Sequence, residues 1–184
     1  MTILIIVIVV ILIILNYVIK KYNDLVKGRN KVEEAFSTMD VYLKKRFDLV
    51  PNLVSTVKGY ANYESTTMEK IVKERAQSYN SMSIDDKVKL NNELSSEIRG
   101  ILAVAENYPD LKANQNFLDL SSQLSSIEDE IANSRKYYNA TVRAYNNKVL
   151  MFPGNIVAKI FKFNTCTMFE VSNENERENV KVEF

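Results

Sequence analysis

Residues 3–15, ILIIVIVVILIIL, are all Ile, Leu or Val, and after Asn16 the apolar run continues through Ile19. About 18 residues at ~1.5 Å each give ~27 Å, close to the ~30 Å hydrocarbon core of a bilayer. A soluble helix apolar on every side must be buried on every side, and a chain of 184 residues leaves too little to bury this one. A cleaved signal peptide is the competing reading. It fits poorly: no Lys or Arg precedes the run, no small-residue cleavage motif follows it, and no cysteine stands at its end to be lipidated. Residues 1–20 are therefore expected to be a retained transmembrane anchor. Lys20, Lys21, Lys27, Arg29 and Lys31 follow the span, diluted by Asp24, whereas only the initiator amine precedes it. The positive-inside rule then places a very short N-terminus outside and the remainder in the cytoplasm, as a single-pass protein of the cell membrane. Lys20, Lys21 and Tyr22 are expected at the headgroup level.

Four glycines and three prolines are few for a chain of this length and favour long helices over a turn-rich β fold. From Val18 onward, large apolar residues recur at steps of four and three: Tyr22, Leu25, Val32, Phe36, Met39, Leu43, Phe47, Val50, Val54, Val57. Arg29 fills the slot between Leu25 and Val32. This is one core-facing stripe that continues straight out of the span. Pro51 lies inside it and predicts a kink near Phe47 to Pro51. A second helix is expected from Thr66 to about Asn80. A third starts at Ser83, with Asp86 at capping-box spacing, and stops at Tyr108-Pro109. The fourth is the clearest, with a stripe from Ala113 through Phe117, Leu124, Ile131, Tyr138, Val142 and Tyr145 to Val149, ended by Pro153-Gly154.

The expected fold is all-α: a transmembrane helix followed by an antiparallel up-and-down bundle of four long helices over 21–154. In that topology the fourth helix returns toward the membrane, provided that the second folds back on the first. Residues 155–184 are left as a short amphipathic segment and a loosely ordered acidic tail. In the segment, Ile156, Ile160 and Phe161 share a face with Val157, opposite Lys159 and Lys162. It reads either as a cap on the bundle or as a foot on the inner leaflet.

The chemistry available is narrow. There is no histidine, which removes the commonest general base and metal ligand. A lone cysteine, Cys166, makes neither a disulfide nor a zinc site. No phosphate-binding or dinucleotide glycine motif is present. A carboxylate site from Asp48, Glu64 and Glu106 has a simpler explanation as surface and capping carboxylates. Net charge is +1, which gives no reason to expect nucleic acid. No catalysis and no cofactor are expected.

Four stretches, Tyr22–Arg46, Arg46–Glu64, Glu106–Phe117 and Arg135–Asn155, resemble the LemA family of bacterial membrane proteins, over nearly everything after the span. The resemblance implies one N-terminal span, four long helices, a cytoplasmic domain and a loose association with envelope maintenance. It implies no reaction. Two positions depart from the family pattern: Tyr63 stands where a histidine is common, and Lys162 where a glycine usually lies between two aromatics.

Within those stretches, Arg46, Asp48, Asn52, Lys58, Glu64, Asn114, Arg135, Tyr138, Asn139, Tyr145 and Asn146 lie on or beside the stripes. They are expected to form a register-fixing packing network, with a polar groove for a peptide or lipid headgroup as the alternative. The pairs Tyr138-Asn139 and Tyr145-Asn146 recur seven residues apart, on one helix face. The expected function is a membrane-anchored scaffold that binds another membrane protein or itself. The alternative is a membrane-surface organiser that meets anionic lipid through Lys20, Lys21 and the 155–163 segment.

Overall fold

The computed structural model describes residues 1–60 and 79–169, apart from the side chains of 80, 85 and 104. The expected second helix, Glu64 and the acidic tail lie outside the described residues. Those described are all-α, with no strand among them. Helix α1 spans Thr2–Lys58, a 3-10 turn Tyr79–Ser81, α2 Ile84–Ala105, a one-turn α3 Pro109–Lys112, α4 Gln115–Leu150 and α5 Gly154–Ile160. Helix α1 is continuous through Pro51.

Helix starts follow capping chemistry. The Asp86 amide donates to Ser83 Oγ (3.2 Å), while the Ser83 hydroxyl donates back to the Asp86 carboxylate (2.7 Å). Pro109 opens α3 behind an extended Tyr108, where its missing amide costs nothing. Asn114 begins α4 by accepting the Phe117 amide at its Oδ1 (3.1 Å).

The chain forms two compact units. The first combines Met1–Thr38 with Ser134–Met168. Its apolar span, Ile3 to Ile19, has no buried residue apart from half-buried Val18. Beyond it α1 buries Leu25, Val32, Ala35 and Phe36. These meet an α4 face of Tyr138, Val142, Tyr145 and Val149. Gly28 lies beside Tyr145, and the Phe36 ring is 5.8 Å from that of Tyr138. Rising numbers on α1 meet falling numbers on α4, so the two run antiparallel and α4 ends near the root of the span. The slot between Leu25 and Val32 belongs to Gly28, not to Arg29, which is exposed and pairs with Glu33 (3.1 Å). A Cβ on Gly28 would stand 3.1 Å from the Tyr145 ring, so the missing side chain permits this close approach.

The second unit takes Phe169 and the described residues from Met39 to Asn133. Its core gathers Phe47, Val50, Leu53 and Val57 of α1, Leu90, Leu94, Ile98 and Ile101 of α2, and Leu111, Phe117 and Leu124. Polar side chains bridge its elements. Asp40 accepts from Tyr79 Oη (2.9 Å) and Lys87 Nζ (2.6 Å), and the Lys87 ammonium sits 4.8 Å over the Tyr79 ring. Arg46, only 1% exposed, donates to Asn91 Oδ1 (2.8 Å) and Ser95 Oγ (2.7 Å) and pairs with Glu128 (2.9 Å). Asp40 and Arg46 meet Lys87 and Asn91 in the same order, so α2 runs parallel to α1. Tyr60–Asn114 and Arg46–Glu128 show α4 running against α1. The Tyr79 ring lies 5.6 Å from that of Phe47.

Helix α5 ends in a Schellman turn. The Phe163 amide donates to the Ala158 carbonyl (2.9 Å) and the Lys162 amide to that of Lys159 (3.4 Å). Lys162 holds φ +57° there, in the left-handed region where a side chain costs about 1 kcal/mol. A glycine would adopt that conformation without the cost.

Two expectations follow. Lys162→Gly should raise stability by about 1 kcal/mol, read from urea unfolding of the full chain in detergent. Arg46→Ala, which leaves Asn91 and Ser95 without their donor, should cost about 3 kcal/mol. Arg46→Met, which keeps most of the volume without a charge, should cost clearly less.

Candidate functional site

The polar residues singled out in the sequence separate into three environments. Arg46 is buried among three helices, and burial lowers its guanidinium pKa, with Glu128 opposing and Arg99 adding to that shift. Its Nε has no partner among the described residues. Asp48, by contrast, is exposed and pairs with Lys44 one turn earlier (3.1 Å). Asn52 and Lys58 are also exposed, and Asn114 caps α4 while its Nδ2 donates to Tyr60 Oη (2.8 Å). Glu106 is exposed. No group of His, Cys, Asp and Glu among the described residues is arranged to hold a metal ion.

The first unit holds the most specific arrangement. After Lys162 the chain leaves the helix and runs along α4 without regular structure through residue 168. Tyr145 Oη donates to the Asn164 carbonyl (3.0 Å) and Tyr138 Oη to the Thr167 carbonyl (2.9 Å). Between them Asn146 grips Cys166 twice: its Nδ2 donates to the Cys166 carbonyl and its Oδ1 accepts the Cys166 amide, both at 2.9 Å. The spacing explains the match. Seven residues of α-helix rise ~10.5 Å, and three residues of extended chain span ~10 Å. Every one of these bonds goes to strap backbone and none to a strap side chain, so the clasp reads chain geometry rather than sequence.

Tyr138 and Tyr145 are both 2% exposed. Burial raises the Tyr145 pKa, with Cys166 adding to the shift and Arg29 opposing it. The Cys166 thiol is also pushed up, first by burial and then by Glu33, against Arg29. Asn139 and Arg135 are half-buried on the same helix. The sequence flagged this ridge by its heptad spacing. It gave no sign of the occupant, because Asn164, Thr165 and Thr167 carry no apolar pattern.

The residues expected at the membrane gather at the other end of the same unit. Tyr22 stacks edge-on against Phe161 (4.8 Å) and Phe163 (5.6 Å). The face expected on α5 is divided: Val157 and Ala158 turn inward, while Ile156, Ile160 and Phe161 remain exposed. Lys20, Lys159 and Lys162 are exposed, and Lys21 is half-buried. Leu150, Met151 and Phe152, at 65%, 63% and 79% exposed, extend the apolar surface. A cavity of about 240 Å³ opens beside them, lined by Lys21, Asp24, Lys148, Met151 and Phe152 among others.

Comparison with known proteins matches residues 35–184 to the family model described as the LemA family. The chain is 32% identical over 159 residues to Protein LemA of Metamycoplasma hominis, covering 85% of this chain and 71% of that protein. It is also 31% identical over 70 residues to magnetosome proteins MamQ of Paramagnetospirillum magneticum, covering 38% of this chain and 26% of theirs.

The clasp predicts that Asn146→Ala frees the strap. A half-buried thiol whose pKa is raised alkylates slowly at pH 8, and release returns Cys166 toward its ordinary pKa and rate. Maleimide labelling of the folded chain should then accelerate several-fold, while exposed Tyr137→Phe leaves the rate unchanged.

Proposed function

The chain belongs to the LemA family, and on that footing we propose that it is a membrane-anchored helical scaffold. It holds its bundle at the inner face of the cell membrane and binds another membrane protein or a second copy of itself. The observation that carries this reading is the continuity of α1. One uninterrupted helix contains both a segment long and apolar enough to cross a bilayer, none of it buried, and the residues that pack against α4. Within the first unit no break in α1 separates the span from the residues that pack against α4, so whatever binds that unit is held close to the bilayer. The excess of Lys and Arg immediately after the span supports a cytoplasmic bundle. The absence of histidine and the exposure of Asp48 and Glu106 favour binding over catalysis.

Two measurements test this. Protease added to intact cells should leave the bundle whole, and permeabilisation should expose it; digestion in unbroken cells inverts the orientation. Amine-reactive cross-linking in native membranes should give discrete higher-mass species containing the full chain. A chain that stays monomeric at every cross-linker concentration, alone and with its membrane neighbours, overturns the scaffold.

A further inference from the structure

The base of the first unit carries an apolar surface that the bundle does not use. It comprises Leu150, Met151 and Phe152 at the end of α4 and Ile156, Ile160 and Phe161 on α5, all between 45% and 79% exposed. Six large apolar side chains clustered at one end of a soluble domain call for a partner. Their position along α1 identifies it. Met151 and Phe152 share a cavity wall with Lys21, Asp24 and Leu25, and Phe161 stacks on Tyr22. Residues 21–25 lie about 3–9 Å beyond Ile19, where the apolar run ends, at ~1.5 Å per residue. The headgroup layer of one leaflet is about 5–7 Å thick, half the difference between the whole bilayer and its hydrocarbon core. The patch therefore stands at the height of the headgroups, fixed there by the helix that carries the span.

Its charge fits the same place. Lys21 and Lys148 line the same cavity as Met151 and Phe152, with Asp24 beside them, and Lys159 and Lys162 are exposed on α5 and at its end. Long side chains of this kind lay their stems on apolar surface and extend their ammonium groups to phosphate. Helix α5 is too short to bind a membrane alone, but α1 and the inward-facing Val157 and Ala158 hold it in place, so little ordering entropy opposes insertion.

We propose that this surface is an interfacial foot, in which Leu150, Met151, Phe152, Ile156, Ile160 and Phe161 enter the headgroup–acyl boundary of the leaflet from which α1 emerges. The anchor would then be a two-point attachment, span and foot, that fixes the tilt of the first unit on the bilayer. The proposal rests on α1 being a retained span, and the experiment separates the two.

The chain has no tryptophan, so one introduced indole reports alone. Full-length Phe152→Trp and Ile160→Trp are reconstituted in nanodiscs with and without lipids brominated near the top of the acyl chains. Ile11→Trp serves as the span control and Leu118→Trp as the solvent control. Both foot indoles should emit to the blue of the Leu118→Trp control, with intensity roughly halved by the brominated lipid, and more so when the lipid is anionic. Quenching of Ile11→Trp with none at the foot overturns the foot alone. A blue shift at the foot without quenching assigns the surface to protein contact and also overturns it. Failure to quench Ile11→Trp overturns the span itself, and the foot with it.

Discussion

Everything in the first unit depends on one helix serving two solvents. From Ile3 to Ile19 α1 has the all-round apolarity that only a bilayer satisfies. From Leu25 it becomes one-sided, burying Leu25, Gly28, Val32 and Phe36 and exposing Lys27, Arg29, Lys31 and Glu33. The change takes less than two turns, across Lys20, Lys21, Tyr22 and Asp24. Because the helix does not break there, the antiparallel α4 is brought back to the same level. The chain after it, α5 and the strap, is laid out from that point.

Gly28 and Gly154 mark where this packing is tightest. Gly28 admits the Tyr145 ring, which places the Tyr145 hydroxyl on the strap. A Cβ on Gly154 would meet the Lys148 carbonyl oxygen at 2.7 Å, so the turn from α4 into α5 closes only without a side chain. Both contacts involve backbone or a buried ring that has little room to retreat. The clasp adds direction. By gripping Asn164, Cys166 and Thr167 through their backbone, Tyr138, Tyr145 and Asn146 send the chain away from the span along α4. The segment needs no apolar pattern of its own to be held.

Much of this was legible in the sequence. The span, the ends of α2 and α4, the Ser83 cap and the core stripes all follow from periodicity and capping rules. What the pattern missed has one cause: counting apolar residues cannot see polar ones that are buried because they are paired. Lys87 and Asn91 lie inside the second unit because Asp40 and Arg46 pair with them there. The Arg29 slot went to Gly28 for a similar reason, since a glycine has no hydrophobicity to count. On α5, periodicity put Val157 on the face of Ile156, Ile160 and Phe161. Packing against the bundle claims Val157 and leaves the others outside. The membership of the foot, with Leu150, Met151 and Phe152 added, is visible only in three dimensions.

The decisive measurement is the simplest. Membranes from cells making the full-length chain are washed with alkaline carbonate, which strips proteins held only by surface contacts. If α1 crosses the bilayer as one piece with the bundle, the intact chain stays in the pellet and leaves it only with detergent. Recovery of the full-length chain in the carbonate supernatant would mean that Ile3 to Ile19 does not span the membrane, and the structure would need another explanation for its greasiest helix.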